Sequence, residues 1–184
     1  MKRQLLTLAT IAIAAPAWAQ QVVPAQSEIA FVSKQMGVPV EGRFKLWTAQ
    51  IAFDPKKPEA GKIGFTIQAG SASFGAAETD AEVSKPAWFH IAKFPQASFQ
   101  SSAVKALGAG KFEVRGALVI KGVSQDVLVP VTVTQAGSAS MATGSFSIKR
   151  LDFRIGDGEW ADTSMVANDV QVKFKLALSG MAPL

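Results

Sequence analysis

The chain carries one histidine, His90, and no cysteine, which narrows the chemistry it could perform. Thiolate catalysis, disulfides and cysteine metal sites are excluded at once. A metal site needs several ligands converging on one point, so His90 alone is a poor start. The same residue as a general base would need an orienting partner that the sequence does not announce; a partly buried polar role fits it better. The acids Asp152, Asp157, Glu159, Asp162 and Asp169 fall close together but without metal-loop spacing. They read as a solvated loop. No G-x-S-x-G, phosphate-binding loop or dinucleotide fingerprint occurs. No catalytic residue, metal site or cofactor follows, and the chain reads as a non-enzyme. The basic doublet Lys149-Arg150, followed by Arg154, could face an anionic group or simply end a strand in solvent.

The beginning of the chain has the form of an export leader. Lys2 and Arg3 precede an apolar run from Leu5 to Ala15, and Ala17-Trp18-Ala19 gives an A-x-A cleavage site before Gln20. That run is too short to span a bilayer. The expectation is a signal peptide over residues 1–19 and one domain over residues 20–184, exported to the periplasm. Losing Lys2 and Arg3 lowers the formal charge from +5 to +3. So mild an excess, without basic clusters interleaved with aromatics, does not suggest nucleic acid. No later segment reads as a transmembrane helix. Without disulfides, an apolar core must hold the fold alone.

The elements are mostly strands. Ser27–Gln35 alternates, and Pro39 suggests a bend or an edge position. Val40–Phe53 reads as one run whose phase changes near Trp47–Ala49, as at a bulge. Lys62–Ala69, Gln96–Ser102 and Lys111–Ile120 follow, with a turn at Gly108–Gly110. Lys121–Asp126 reads as a polar connection. Val127, Val129, Val131 and Val133 form the plainest period-two stripe. Ala139–Lys149 and Val170–Leu178 complete the set, and Leu151–Ala167 is irregular. About eight strands at hairpin spacing point to an antiparallel sandwich or an up-and-down barrel.

One stretch does not alternate. Asp80–Ser102 holds Pro86, Pro95 and the aromatics Trp88, Phe89, Phe94 and Phe99. Its first residues predict a short helix over Asp80–Lys85, with Thr79 as N-cap and Pro86 as the stop. Large apolar groups in an irregular segment must cover something, either a filled core or the mouth of a cavity.

Five segments, SEIAFVSKQMGVPVEGRF, IAFDP, TDAEVSKPAWFHIAKFPQASFQSS, GALVIKGVSQDVLVPV and DFRIGDGEWADTSMVANDVQVKFKLAL, taken in order, resemble the YceI-like polyisoprenoid-binding family. The resemblance covers nearly all of the chain after the leader. It implies an all-β fold, a periplasmic eight-stranded lipocalin-like antiparallel barrel with a short helix or loop near one end. It also implies an apolar cavity holding a polyisoprenoid or similar long-chain lipid, for transport or storage. Cavity-wall candidates are Phe31, Phe44, Phe65, Trp88, Phe89, Phe99, Leu118, Val129, Phe146 and Phe174; headgroup candidates at the mouth are Lys149, Arg150 and Arg154. The chain departs from the family pattern in having Gln35-Met36-Gly37 where many members have His-Met-Gly. It also has Trp88-Phe89 where many have two phenylalanines. Gly42-Arg43-Phe44 lacks the G-x-W of true lipocalins. The competing reading is a filled barrel that binds a protein partner through its long loops; an enzyme acting on lipid ranks third.

Overall fold

A computed structural model describes residues 19–184. Apart from Ala19, the expected leader lies outside the described residues. The strands are β1 (Ala19–Val22), β2 (Glu28–Gln35), β3 (Val38–Phe44), β4 (Trp47–Ala52), β5 (Lys62–Gln68), β6 (Ala72–Ser73), β7 (Gln96–Gly108), β8 (Lys111–Ile120), β9 (Val123–Ala136), β10 (Ala139–Lys149) and β11 (Asp169–Ser179); α1 spans Ala77–Glu82. All pairings between these strands are antiparallel. The order β1-β4-β5-β7-β8-β9-β10-β11 closes on itself through β1–β11, making an eight-stranded barrel. The hairpin β2–β3 extends one side of it: β2 pairs with β11 over Gln171–Lys175, and β1 takes over the same edge at Leu178 and Ser179.

Alternation becomes burial, as a half-buried strand requires. Phe112, Val114, Leu118 and Ile120 of β8 face inward, as do Val129 and Val133 of β9. Hairpins are tight where a glycine supplies positive φ. Lys121 (φ 50°) and Gly122 (φ 75°) alone connect β8 to β9, so Ser124–Asp126 belong to a strand rather than to the expected polar connection.

Other boundaries also move. The expected bulge near Trp47 is a break at Lys45-Leu46, which separates β3 and β4 and lets each pair with different partners. Pro39 lies inside β3, opposite Lys34; among the described residues that strand's other side pairs only with the two-residue β6, at Arg43 and Phe44, so the proline costs the ladder little. Strand β7 runs past Ser102 to Gly108, because a bulge between Ser101 and Ala103 moves the inward phase from Phe99 to Val104. The helix begins three residues earlier than expected, with Ala76 at its N-cap and no side-chain cap. The Asp80 carboxylate instead accepts hydrogen bonds from Phe74 N–H (2.6 Å) and the Ser73 hydroxyl (3.0 Å), tying α1 back to β6.

Segments outside the ring strands lie at both ends of the barrel. At one end the Gln20 side-chain amide exchanges two 2.9 Å bonds with the backbone of Phe53. There Gln135 donates to Ala182 O and accepts from Leu184 N–H. The other end is covered by residues 83–95 and 150–167.

Candidate functional site

Inside the ring lies a cavity of about 170 Å³ whose lining residues are all apolar. Strands β2–β5 and β7–β11 contribute to it, Phe89 of the covering segment reaches it, and Met181 enters from beyond β11. Among the described residues, no side chain that could donate or accept a proton lines this space. It can exclude water and hold apolar matter.

Eight of the wall candidates line the cavity: Phe44, Phe65, Phe89, Phe99, Leu118, Val129, Phe146 and Phe174. Phe31 does not, although it is buried. Its ring packs against Phe44 (5.2 Å) and Phe74 (5.1 Å), and it fills the space where a Cβ on Gly42 would stand. Trp88 is also off the wall: it packs against the core and against Trp160, 5.4 Å between ring centroids. The wall includes residues not singled out beforehand. Ile63, Ile67, Phe112 and Val114 share strand faces with named candidates, so parity could have found them. Met181 lies past the last alternating run, where there is no periodic signal.

Three large rings owe their buried positions to glycine. A Cβ on Gly42, Gly116 or Gly144 would come within 2.3–2.6 Å of Phe31, Phe99 or Phe174 respectively. Gly42 and Gly144 stand directly across the ladder from their phenylalanines.

The cations at the covered end divide three ways. Lys149 is exposed and lies 3.7 Å from Asp169. Arg154 is exposed in a left-handed conformation (φ 56°), and its carbonyl accepts a bond from Lys121 Nζ at 2.6 Å. Arg150 corrects the expectation of a headgroup contact. It is 1 % exposed, and its five N–H groups all donate to backbone carbonyls: Nε to Ala167, Nη1 to Ile155 and Gly156, and Nη2 to Trp160 and Val166. No donor remains for an external anion. Burial lowers its pKa from the ordinary value, yet a guanidinium stays charged in a protein. Arg150 is the post around which residues 150–167 wind.

The two covering segments are bound to each other. Gly156 N–H and Asp157 N–H both donate to Ala87 O, and Lys121 Nζ also reaches that carbonyl at 3.3 Å while pairing with Asp157 at 3.6 Å. His90 sits at φ 51° with its ring edge-on to Phe94 at 5.8 Å. Its carbonyl takes the N–H groups of Lys93 and Phe94, so the residue shapes a turn. Among the described residues no group of three or more His, Asp or Glu could hold a metal ion, and no helix is long and apolar enough to cross a membrane.

A family model described as the YceI-like domain matches residues 20–178. The crystal structure of BcnA from Burkholderia cenocepacia superposes with a TM-score of 0.83 at 44 % identity, over 85 % of this chain and 99 % of that one. A domain from Saccharophagus degradans, described as polyisoprenoid-binding and implicated in plant cell wall breakdown, shares the fold with a TM-score of 0.71. That match has 19 % identity and covers 89 % of this chain and 99 % of that one. Protein YceI of Salmonella arizonae is 33 % identical over 96 residues, 52 % of this chain and 50 % of the relative. The matches to such curated relatives span about half of their length.

Proposed function

The chain belongs to the YceI-like family, and on that premise we propose that it binds the apolar tail of a polyisoprenoid or similar long-chain amphiphile inside the barrel, to carry or store it. The supporting observation is the cavity inside the barrel, whose lining among the described residues is apolar throughout. Each prenyl CH₂ leaving water gains roughly 0.8 kcal/mol, part of which offsets immobilisation. The ligand described for the Saccharophagus domain has the same chemistry.

Size adds a requirement. About 170 Å³ is closer to a void that takes a benzene-sized molecule (~150 Å³) than to ligand pockets of ~300–1,000 Å³. A long tail must therefore displace rings as it enters. Phe44, Phe65, Phe89, Phe146 and Phe174 are half-buried and line the space, so they are the rings free to move. The small volume also supports a second reading: a filled barrel presenting its loops to a protein partner, with Met36, Val38 and Met165 exposed near the β2–β3 turn.

Native mass spectrometry of protein taken directly from cells separates the two. A retained lipid, or thermal stabilisation by added prenyl lipid, supports binding; a bare mass with no stabilisation supports the interaction module. We also propose export to the periplasm after cleavage before Gln20. A periplasmic protein with an intact Met1 terminus would refute that route. The reaction class proposed is none: binding without turnover.

A further inference from the structure

Residues 180–184 lie beyond the last strand and cross one end of the barrel. Gly180, exposed and at φ 79°, turns the chain off β11. Ala182 and Leu184 then meet Gln135 of β9, and Leu184 Cδ1 lies 3.7 Å from where a Cβ on Gly110 would stand in the β7–β8 turn. With the strands ordered β8-β9-β10-β11, the segment passes from β11 past β10 and β9 to that turn. On the way Met181 is partly buried, packs against the core and lines the cavity. Its unbranched, flexible thioether suits a side chain that must both fill a space and withdraw from it.

The two ends of the barrel are fastened unequally. Among the described residues, the hydrogen bonds that hold residues 180–184 both end on one side chain. Gln135 Nε2 donates to Ala182 O and Gln135 Oε1 accepts from Leu184 N–H, each at 2.9 Å. At the covered end, Arg150 alone donates five bonds. Gly156 and Asp157 donate to Ala87 O, and Lys121 Nζ donates to Ala87 O and Arg154 O. Bonds from Met36 N–H to Met165 O and from Ala167 N–H to Lys34 O join residues 150–167 to the β2–β3 hairpin. Local opening requires least free energy where the fewest bonds must break. Opening of residues 180–184 breaks two, and it withdraws a residue that is itself part of the cavity lining.

We infer that residues 180–184 form the gate of the cavity: an apolar tail enters and leaves at this end, past Met181, when Gln135 lets go, while the covered end stays in place. This rests on the reading that the cavity holds an apolar tail, and it adds the route by which the tail is loaded and released. The gate stands over the empty and the filled barrel alike. Loosening it therefore changes the rates in both directions and leaves the affinity nearly as it was.

The test follows geranylgeranyl anthranilate, a fluorescent prenyl ester, by stopped flow onto and off wild type, Gln135→Leu and Lys121→Met, after urea unfolding has established that the variants are folded. Gln135→Leu removes both bonds of the gate, along with one to Ser140 Oγ inside the β9–β10 hairpin. Lys121→Met removes the ammonium that joins the covering segments. Gln135→Leu should raise the association and dissociation rates together, on the order of tenfold for two bonds, with Kd within about threefold. Lys121→Met should leave both rates within about twofold. Faster rates in Lys121→Met, alone or to the same extent, overturn the choice of end. Unchanged rates in Gln135→Leu overturn the gate, and faster release without faster association makes residues 180–184 a wall instead. Amide exchange on wild type needs no variant: Leu184 N–H should be less protected than Gly156 N–H, and the reverse order also overturns the gate. Wild type that takes up no probe overturns tail binding itself, and the gate with it.

Discussion

Replacing Arg150 by lysine keeps the charge and removes the geometry. The guanidinium serves five carbonyls, at 2.6–3.1 Å, from residues spread over Ile155–Ala167. An ammonium has three donors, so at least two of those carbonyls lose their partner. The guanidinium is 1 % exposed and its bonds to Ile155, Gly156 and Val166 are buried, so carbonyls orphaned there are poorly placed to find water. Each buried orphan costs about 1–3 kcal/mol, so Arg150→Lys should destabilise by about 2–6 kcal/mol. For a chain of this size that is a fall of roughly 5–20 °C in Tm. Urea unfolding followed by far-ultraviolet circular dichroism would measure it, with Lys149→Gln as a neighbour expected to stay within about 0.5 kcal/mol of wild type. If Arg150→Lys also stays within about 0.5 kcal/mol, on the scale of an exposed substitution, the five bonds are not what organises the loop.

Three further outcomes follow from the barrel interior. Gly144→Ala would set a Cβ 2.3 Å from Pro130 O and 2.4 Å from Phe174 Cζ, and since backbone cannot yield cheaply, a loss of about 1–3 kcal/mol in denaturant unfolding is expected; an unchanged midpoint would refute it. Ala142→Phe puts a ring into the cavity from β10 and should lower prenyl-lipid retention at least about tenfold while the circular dichroism spectrum stays β-rich; undiminished retention would place the ligand elsewhere. His90→Gly accepts the same positive φ and should leave lipid retention within a few-fold. A reproducible hydrolase or transferase activity that this variant loses would reverse the non-enzyme reading.

Period-two patterning made the barrel legible because each strand has one apolar face. Val129 and Val133 turned inward where their stripe placed them, and Leu118 did the same on β8. Parity could say that Phe31 is buried but not what it meets, because Gly42 and Phe74 hold its ring away from the cavity. It also could not divide Trp88 from Phe89 in a segment without period. Arg150 was misread for a more basic reason. Its partners are main-chain carbonyls, which every residue possesses, so no spacing of side chains foretells the cage. The turn at Lys121-Gly122 was read too long because Ser124, Gln125 and Asp126 are polar, yet they occupy the outer face and end of a strand that still pairs fully with β8.

Closure of the ring has a consequence in time. It depends on β1, whose register contains two residue pairs with β4, Ala19 with Ala52 and Gln20 with Ile51, and two with β11, Gln21 with Ser179 and Val22 with Leu178. The first strand to leave the ribosome therefore waits for the last. Until β11 arrives, β1 and β10 are open edges. Pairings so distant along the chain are slow to form, on the scale of milliseconds to seconds for β topologies. On the proposed export route this delay is useful, because a chain unable to close before its final strand appears can be threaded across a membrane while still extended. The same delay exposes unpaired edges on the far side, so refolding yield should fall as protein concentration rises.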